Sequence, residues 1–307
     1  MRVAAIDVGT NSTRLLVAEA TDDGFRTLDR RSTVTRLGQG VDRTRVLAPE
    51  ALDRTFATIA DYAATCGEYE VERLRVTGTS AVRDARNRAD FFTGVERLTG
   101  DRPELLSGEQ EARATFLGAV SDLRDDEPNL VVDIGGGSTE LVVGTRAPDR
   151  LVSLDVGCVR LLEEHLAGDP PAPDELDALR RDVTGALEGA REHLDVPRGA
   201  RLVGVAGTVT QLAALKAGVP VYDPDVTHHA VMSHGDVRLL ARRLESLPFD
   251  ARRRVKALEP GRADVIVSGA EILLCVMEVF DMAEVLVSEK DLLEGIVLDL
   301  LDDDAAA

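Results

Sequence analysis

Two stretches of this chain repeat one order of apolar and polar positions. Residues 4–18, AAIDVGTNSTRLLVA, and residues 130–144, LVVDIGGGSTELVVG, each run from an apolar strand through an acid and a glycine turn into a second apolar strand. That pattern predicts a β-hairpin. Asp7 aligns with Asp133, Gly9 with Gly135, Ser12 with Ser138, Thr13 with Thr139, Leu15 with Leu141 and Val17 with Val143, every pair 126 positions apart. A gapless repeat at that distance implies two related halves.

The rest of the pattern reads as α/β. Apolar spacing over 49–66 predicts an amphipathic helix, and RLRVTGTSAVRDA (73–85) a strand running into a loop. RLVGVAGTVTQLAALKA (201–217) reads as strand, glycine turn and helix, a third candidate phosphate cradle. AGDPPAPDEL (167–176) is a loop leading into a helix with acids in its first turn. ADVIVSGAEILLCVMEVF (263–280) reads as a buried strand and helix, 285–301 as a strand and closing helix, and DDDAAA (302–307) as a frayed tail.

Composition narrows the function classes. With 307 residues, 44% hydrophobic and 30% charged, the chain can build two cored domains. A net charge of −19 and 3% aromatics exclude a general nucleic-acid binder, which needs a basic footprint and stacking platforms. No apolar run is long enough to span a bilayer, and MRVAAIDVGT begins directly as a strand, so no membrane association and a cytoplasmic location are expected. Cys66, Cys158 and Cys275 are scattered and read as buried thiols. His228, His229 and His234 lack Cys or Glu companions at ligand spacing.

The hairpin turns carry the candidate chemistry. Glycine lets backbone N–H groups approach an anion, and Ser or Thr hydroxyls add donors. An aspartate is unwelcome beside phosphate unless a divalent cation lies between them, usually Mg²⁺, or Mn²⁺ in its place. In SGEQ (107–110) Ser and Gln stand at capping-box spacing, which starts a helix at Gly108 and puts Glu111 in its first turn. There the helix dipole favours the ionised form that a general base needs.

Taken in order, the duplicated hairpin, GTSAVRDARN (78–87), LLSGEQEARATFLGA (105–119), DIGGGSTEL (133–141), GVAGTVTQLAAL (204–215), GRADVIVSGAEIL (261–273) and SEKDLLEGI (288–296) resemble the exopolyphosphatase / guanosine pentaphosphate phosphatase family. Its superfamily also holds actin, sugar kinases and Hsp70 chaperones, and the resemblance covers nearly the whole chain in the short, two-domain form. DLLEG departs slightly, since members often carry Arg before Glu-Gly.

The resemblance implies an α/β fold of two ribonuclease H-like (actin-like ATPase) domains with an interdomain cleft, each domain with a five-stranded mixed sheet. The expected domains are 1–117 with a returning helix at 291–307, and 118–290. It implies a hydrolase acting on terminal phosphoanhydrides, with inorganic polyphosphate as substrate, guanosine or adenosine nucleotides as further candidates, and a homodimer. Glu111 is the implied base and Arg83 a direct phosphate contact. Phosphate donors are expected at Gly9, Thr10, Asn11, Ser12, Arg14, Gly135, Gly136, Gly137 and Ser138. Asp133 and Glu140 are the implied metal ligands, with Asp7 beside the phosphate. Three alternatives stay open: a pppGpp 5′-phosphohydrolase, a superfamily kinase and a non-catalytic sensor. Basic residues cluster at Arg83, Arg86 and Arg88 and again at Arg252, Arg253, Arg254, Lys256 and Arg262. Either cluster is a candidate guide for a polyanion.

Overall fold

The computed structural model of the chain describes residues 1–22, 24–123 and 126–305. It divides into two compact units, Met1–Gly118 with the stretch from Leu292, and Ala119–Asp291.

The first unit is built on β1 (Arg2–Val8), β2 (Ser12–Thr21), β3 (Gly24–Val34), β4 (Arg73–Gly78) and β5 (Glu104–Leu105), in the order β3-β2-β1-β4-β5. β1 and β2 form the expected antiparallel hairpin, and β4 lies parallel to β1. A parallel neighbour requires a crossover, supplied by the Pro49–Glu68 helix. Both faces of β1 are covered, which is why it reads as an unbroken apolar run. Ala4, Ile6 and Val8 join Leu52, Ile59 and Tyr62 of the crossover helix in one core. Val3 and Ala5, with Leu16 and Ala18 of β2, meet Leu292, Leu293, Ile296, Val297 and Leu300 of the closing helix (Leu292–Ala305) in another.

Glycine is required where the closing helix meets the Gly108–Val120 helix. A Cβ on Gly295 would fall 1.9 Å from the Ala114 carbonyl oxygen. The frayed tail expected at 302–307 is instead helical through Ala305, and residues 306 and 307 lie outside the described residues.

The second unit repeats the plan with β6 (Asn129–Ile134), β7 (Thr139–Gly144), β8 (Pro148–Leu154), β9 (Arg201–Val205), β10 (Val231–Ser233) and β11 (Glu284–Val287), ordered β10-β11-β9-β6-β7-β8. The shared order of an antiparallel hairpin beside parallel strands is the ribonuclease H-like arrangement. This sheet has six strands rather than five, because short β10 adds an antiparallel edge to β11.

Two further local expectations fail. The strand expected within 263–280 is absent. The segment forms one helix, Ile266–Val279, with every residue from Ile266 to Met277 buried. It is enclosed by the Cys158–His165, Pro173–Leu194, Ala206–Ala217 and His234–Glu245 helices, so it shows no polar face from which to read a period. In 73–85 the expected loop contains a short helix, Ser80–Asp84. The three cysteines are buried, and burial pushes each thiol up to about 11, consistent with inert thiols. Among the described residues no helix is long and apolar enough to cross a membrane.

Candidate active site

In the first unit the turn between β1 and β2 closes on itself, with the Gly9 N–H donating to the Ser12 carbonyl at 3.0 Å. A Cβ on Gly9 would crowd that oxygen at 3.1 Å, so the tight turn itself selects glycine. The following loop pins the turn from outside. The Thr10 carbonyl accepts from Gly38 N at 2.8 Å, and the Asn11 carbonyl from Thr35 N and Arg36 N at 3.0 and 2.8 Å. Across a trans peptide the N–H opposes the carbonyl, so the Asn11 N–H points to the other side. Asn11 is 7% exposed, and its Nδ2 is buried without a hydrogen-bond partner. A buried donor left open is costly unless a ligand completes it.

Beside this turn lies a set of charged side chains. The hairpin register puts Arg14 directly opposite Asp7, and its Nε and Nη2 donate to Asp7 Oδ2 at 3.2 and 2.8 Å. Thr77, next to Asp7 on β4, is also buried. The short Ser80–Asp84 helix carries Arg83, whose Nη1 donates to the Leu106 carbonyl at 2.9 Å and to Glu111 Oε2 at 2.7 Å.

The capping box forms as expected, with Gln110 N donating to Ser107 Oγ at 3.2 Å and Ser107 N to Gln110 Oε1 at 2.8 Å. Glu109 is exposed and Glu111 buried. The expectation of an ionised Glu111 at the helix start needs correction. Burial pushes its carboxyl up to about 7, with Asp7 adding to the rise while Arg83 and Arg14 oppose it.

The second turn repeats the closure, Gly135 N donating to the Ser138 carbonyl at 3.0 Å. Its outer side rests on the first turn of the Cys158–His165 helix. The Gly135 carbonyl accepts from Cys158 N at 2.9 Å, the Gly136 carbonyl from Val159 N at 2.8 Å, and the Gly137 carbonyl from Arg160 Nε at 3.0 Å. The N–H groups of Gly136, Gly137 and Ser138 therefore face the opposite side, a nest suited to an anion. Gly157 makes this contact possible, since a Cβ there would fall 2.4 Å from the Gly136 oxygen. Sequence reasoning missed Gly157 and this supporting helix; the only signal was a glycine at the end of SLDVG (153–157).

One difference between the repeats matters. Position 140 is the counterpart of position 14, and the second hairpin puts Glu140, not Arg, opposite Asp133. Both acids are buried, at 1% and 6% exposure, and Ser153 Oγ donates to Glu140 Oε1 at 2.7 Å. In the first copy an arginine neutralises the aspartate; in the second two buried carboxylates are neighbours. All-oxygen donors with an oriented carboxylate fit a hard divalent cation such as Mg²⁺.

The first unit thus brings together Asp7, Arg14, Arg83 and Glu111, and the second Asp133 with Glu140. The third cradle, at Ala206–Gly207, is covered by Arg262, whose Nη1 lies where a Cβ on Gly207 would come within 2.1 Å. Arg252 is no guide for a polyanion: it is buried and donates to the Ala263 and Leu247 carbonyls.

Two ribonuclease H-like units, each opening with a glycine-turn hairpin, make this a protein of the actin-like ATPase fold class. The chain belongs to the Ppx/GppA phosphatase family, whose model matches residues 16–304. It is 39% identical over 313 residues to exopolyphosphatase 2 of Mycobacterium tuberculosis, covering 97% of this chain and 98% of that one. Among solved structures, an exopolyphosphatase-like protein is 38% identical over 97% of both chains with a TM-score of 0.94. The Ppx/GppA family member of Aquifex aeolicus is 32% identical over 99% of this chain and 98% of that one, with a TM-score of 0.84.

Proposed function

We propose that the chain is an exopolyphosphatase, hydrolysing the terminal phosphoanhydride of inorganic polyphosphate and releasing orthophosphate. The observation that carries this reading is Glu111, a carboxylate buried beside an arginine and two further charged groups and poised near neutrality, where a general base is most effective. Similarity to exopolyphosphatase 2 over the whole chain supports the substrate class.

Glu111 takes a proton from water as the water oxygen bonds to the terminal phosphorus. The bridging P–O bond breaks, and the shortened chain leaves as an anion that needs no added proton. Arg83 holds the Glu111 carboxylate and has further guanidinium donors for the phosphoryl oxygens. Within the first unit the Gly9–Ser12 turn contributes the Asn11 N–H and Nδ2 beside Glu111 and Arg83; the second unit, by itself, offers the N–H groups of Gly136, Gly137 and Ser138 as an anion nest. Asp133 and Glu140 would hold Mg²⁺, which when bound neutralises phosphate charge. Arg14 keeps Asp7 compensated, so the aspartate does not repel substrate. Phosphate release from polyphosphate, pppGpp and ATP, measured side by side, tests the proposal. Turnover of a nucleotide with none of polyphosphate would overturn it.

A further inference from the structure

The Cys158–His165 helix holds the second glycine turn with its first residues, and its last turn carries Glu164 and His165. Asp182, on the Pro173–Leu194 helix, comes up to them. One ligand atom from each of the three lies within 4.8 Å of the other two. His165 Nε2 is 3.1 Å from Asp182 Oδ2, yet it is buried and makes no hydrogen bond. Glu164 and Asp182 are exposed, and among the described residues no Lys or Arg pairs with either. A buried imidazole nitrogen that contacts Asp182 without hydrogen-bonding to it, with a second carboxylate in reach and no Lys or Arg on either acid, has the composition of a ligand set.

The other cluster of this kind behaves differently. Asp122 Oδ2 contacts His228 Nε2 at 2.8 Å and Lys290 Nζ at 3.1 Å. His228 Nδ1 accepts the Glu289 N–H at 3.2 Å, which puts the ring proton on Nε2, toward Asp122. An ammonium and a fixed proton already satisfy Asp122 Oδ2, so Asp122, His228 and Lys290 form a clasp, while Asp122 Oδ1 is buried without a hydrogen bond, 3.5 Å from His229 Nε2. No such group stands at His165.

We infer that His165, Glu164 and Asp182 form a binding site for a divalent transition metal of the Zn²⁺ class. Imidazole with carboxylates suits Zn²⁺, Ni²⁺ or Co²⁺, whereas Mg²⁺ takes oxygen ligands. Three protein ligands leave the remaining position to water. The ion joins the end of the helix that supports the second glycine turn to the helix beside it, and so stiffens the support of that turn. The inference does not depend on the substrate assigned above.

Isothermal titration of the full chain, stripped by chelator and held in excess Mg²⁺, tests it with Zn²⁺ as the probe. The expected result is saturable binding that weakens by about tenfold or more in His165→Gln and in Asp182→Asn, since even an outer partner of a ligand is worth that much. Asp182 is exposed, so the second variant retains the fold. His229→Ala should bind as wild type does. Zn²⁺ should also raise the Tm of the wild type and not that of His165→Gln. Unchanged affinity in both variants, loss in His229→Ala instead, or no saturable binding at all would overturn the assignment.

Discussion

Glu109 and Glu111 stand two positions apart on one helix, yet one is exposed and the other is held by Arg83. Replacing Glu111 with Gln keeps the shape and removes the base, so kcat should fall by about 10²–10⁴-fold with KM little changed. Near-native kcat would remove the assignment. Because burial raises the Glu111 carboxyl to about 7, wild-type activity should climb with pH through that value as the base ionises, a limb absent from the residual rate of the variant. Stability follows the opposite sign. Between the ordinary value of 4.5 and about 7 the folded state binds more protons than the unfolded, so this group's contribution falls as pH rises. The Tm of wild type relative to Glu111→Gln should therefore decline across that window. Asp133→Asn removes an anionic oxygen from the candidate Mg²⁺ pair, and the concentration of Mg²⁺ giving half-maximal activity should rise; an unchanged titration would exclude Asp133 as a ligand. The aligned repeats made Asp7, Asp133 and both glycine turns legible. The exchange of Arg14 for Glu140 was visible there too, but its meaning required the strand register that sets each opposite its aspartate.

Among the elements, hairpins were readable because short apolar runs flank a glycine turn in both copies of the repeat, and the Glu111 helix because its capping box is local. A helix was expected in 263–280, but the start of the Ile266–Val279 helix was read as a strand because enclosure on all sides erases the 3.6-residue period, leaving an apolar run that fits strand and helix alike. The supporting Cys158–His165 helix was missed since its contacts to Gly135 and Gly136 are backbone bonds that leave little trace in side-chain pattern. Close approach makes a separate prediction. Gly295→Ala puts a methyl group against the Ala114 carbonyl, forcing the closing helix away from the helix that carries Glu111. The cost should be at least about 1–3 kcal/mol, read as a lower urea midpoint, and kcat should drop as Glu111 shifts relative to Arg83. A variant with native midpoint and native kcat would show that the two helices are not tightly seated.

For the molecule as a whole, a net charge of −19 opposes a polyanionic substrate. Arg83 lies within the candidate site, while Arg252 is spent on backbone carbonyls, so the second basic cluster is weaker than its sequence suggests. Preference for short polyphosphate is expected, with kcat/KM rising only weakly with chain length and improving with moderate salt that screens the general repulsion. Efficiency that climbs steeply with length and is greatest at the lowest salt would point to a continuous basic track. The closing helix also bears on how the chain is made. Synthesis proceeds from residue 1, and residues 119–291 are contiguous, so that unit can fold as soon as it emerges. The first unit cannot: Val3, Ala5, Leu16 and Ala18 wait for Leu292, Leu293, Ile296, Val297 and Leu300. At roughly 5–20 residues per second the delay is on the order of tens of seconds, during which an apolar sheet face stays wet and open to chaperones at the ribosome.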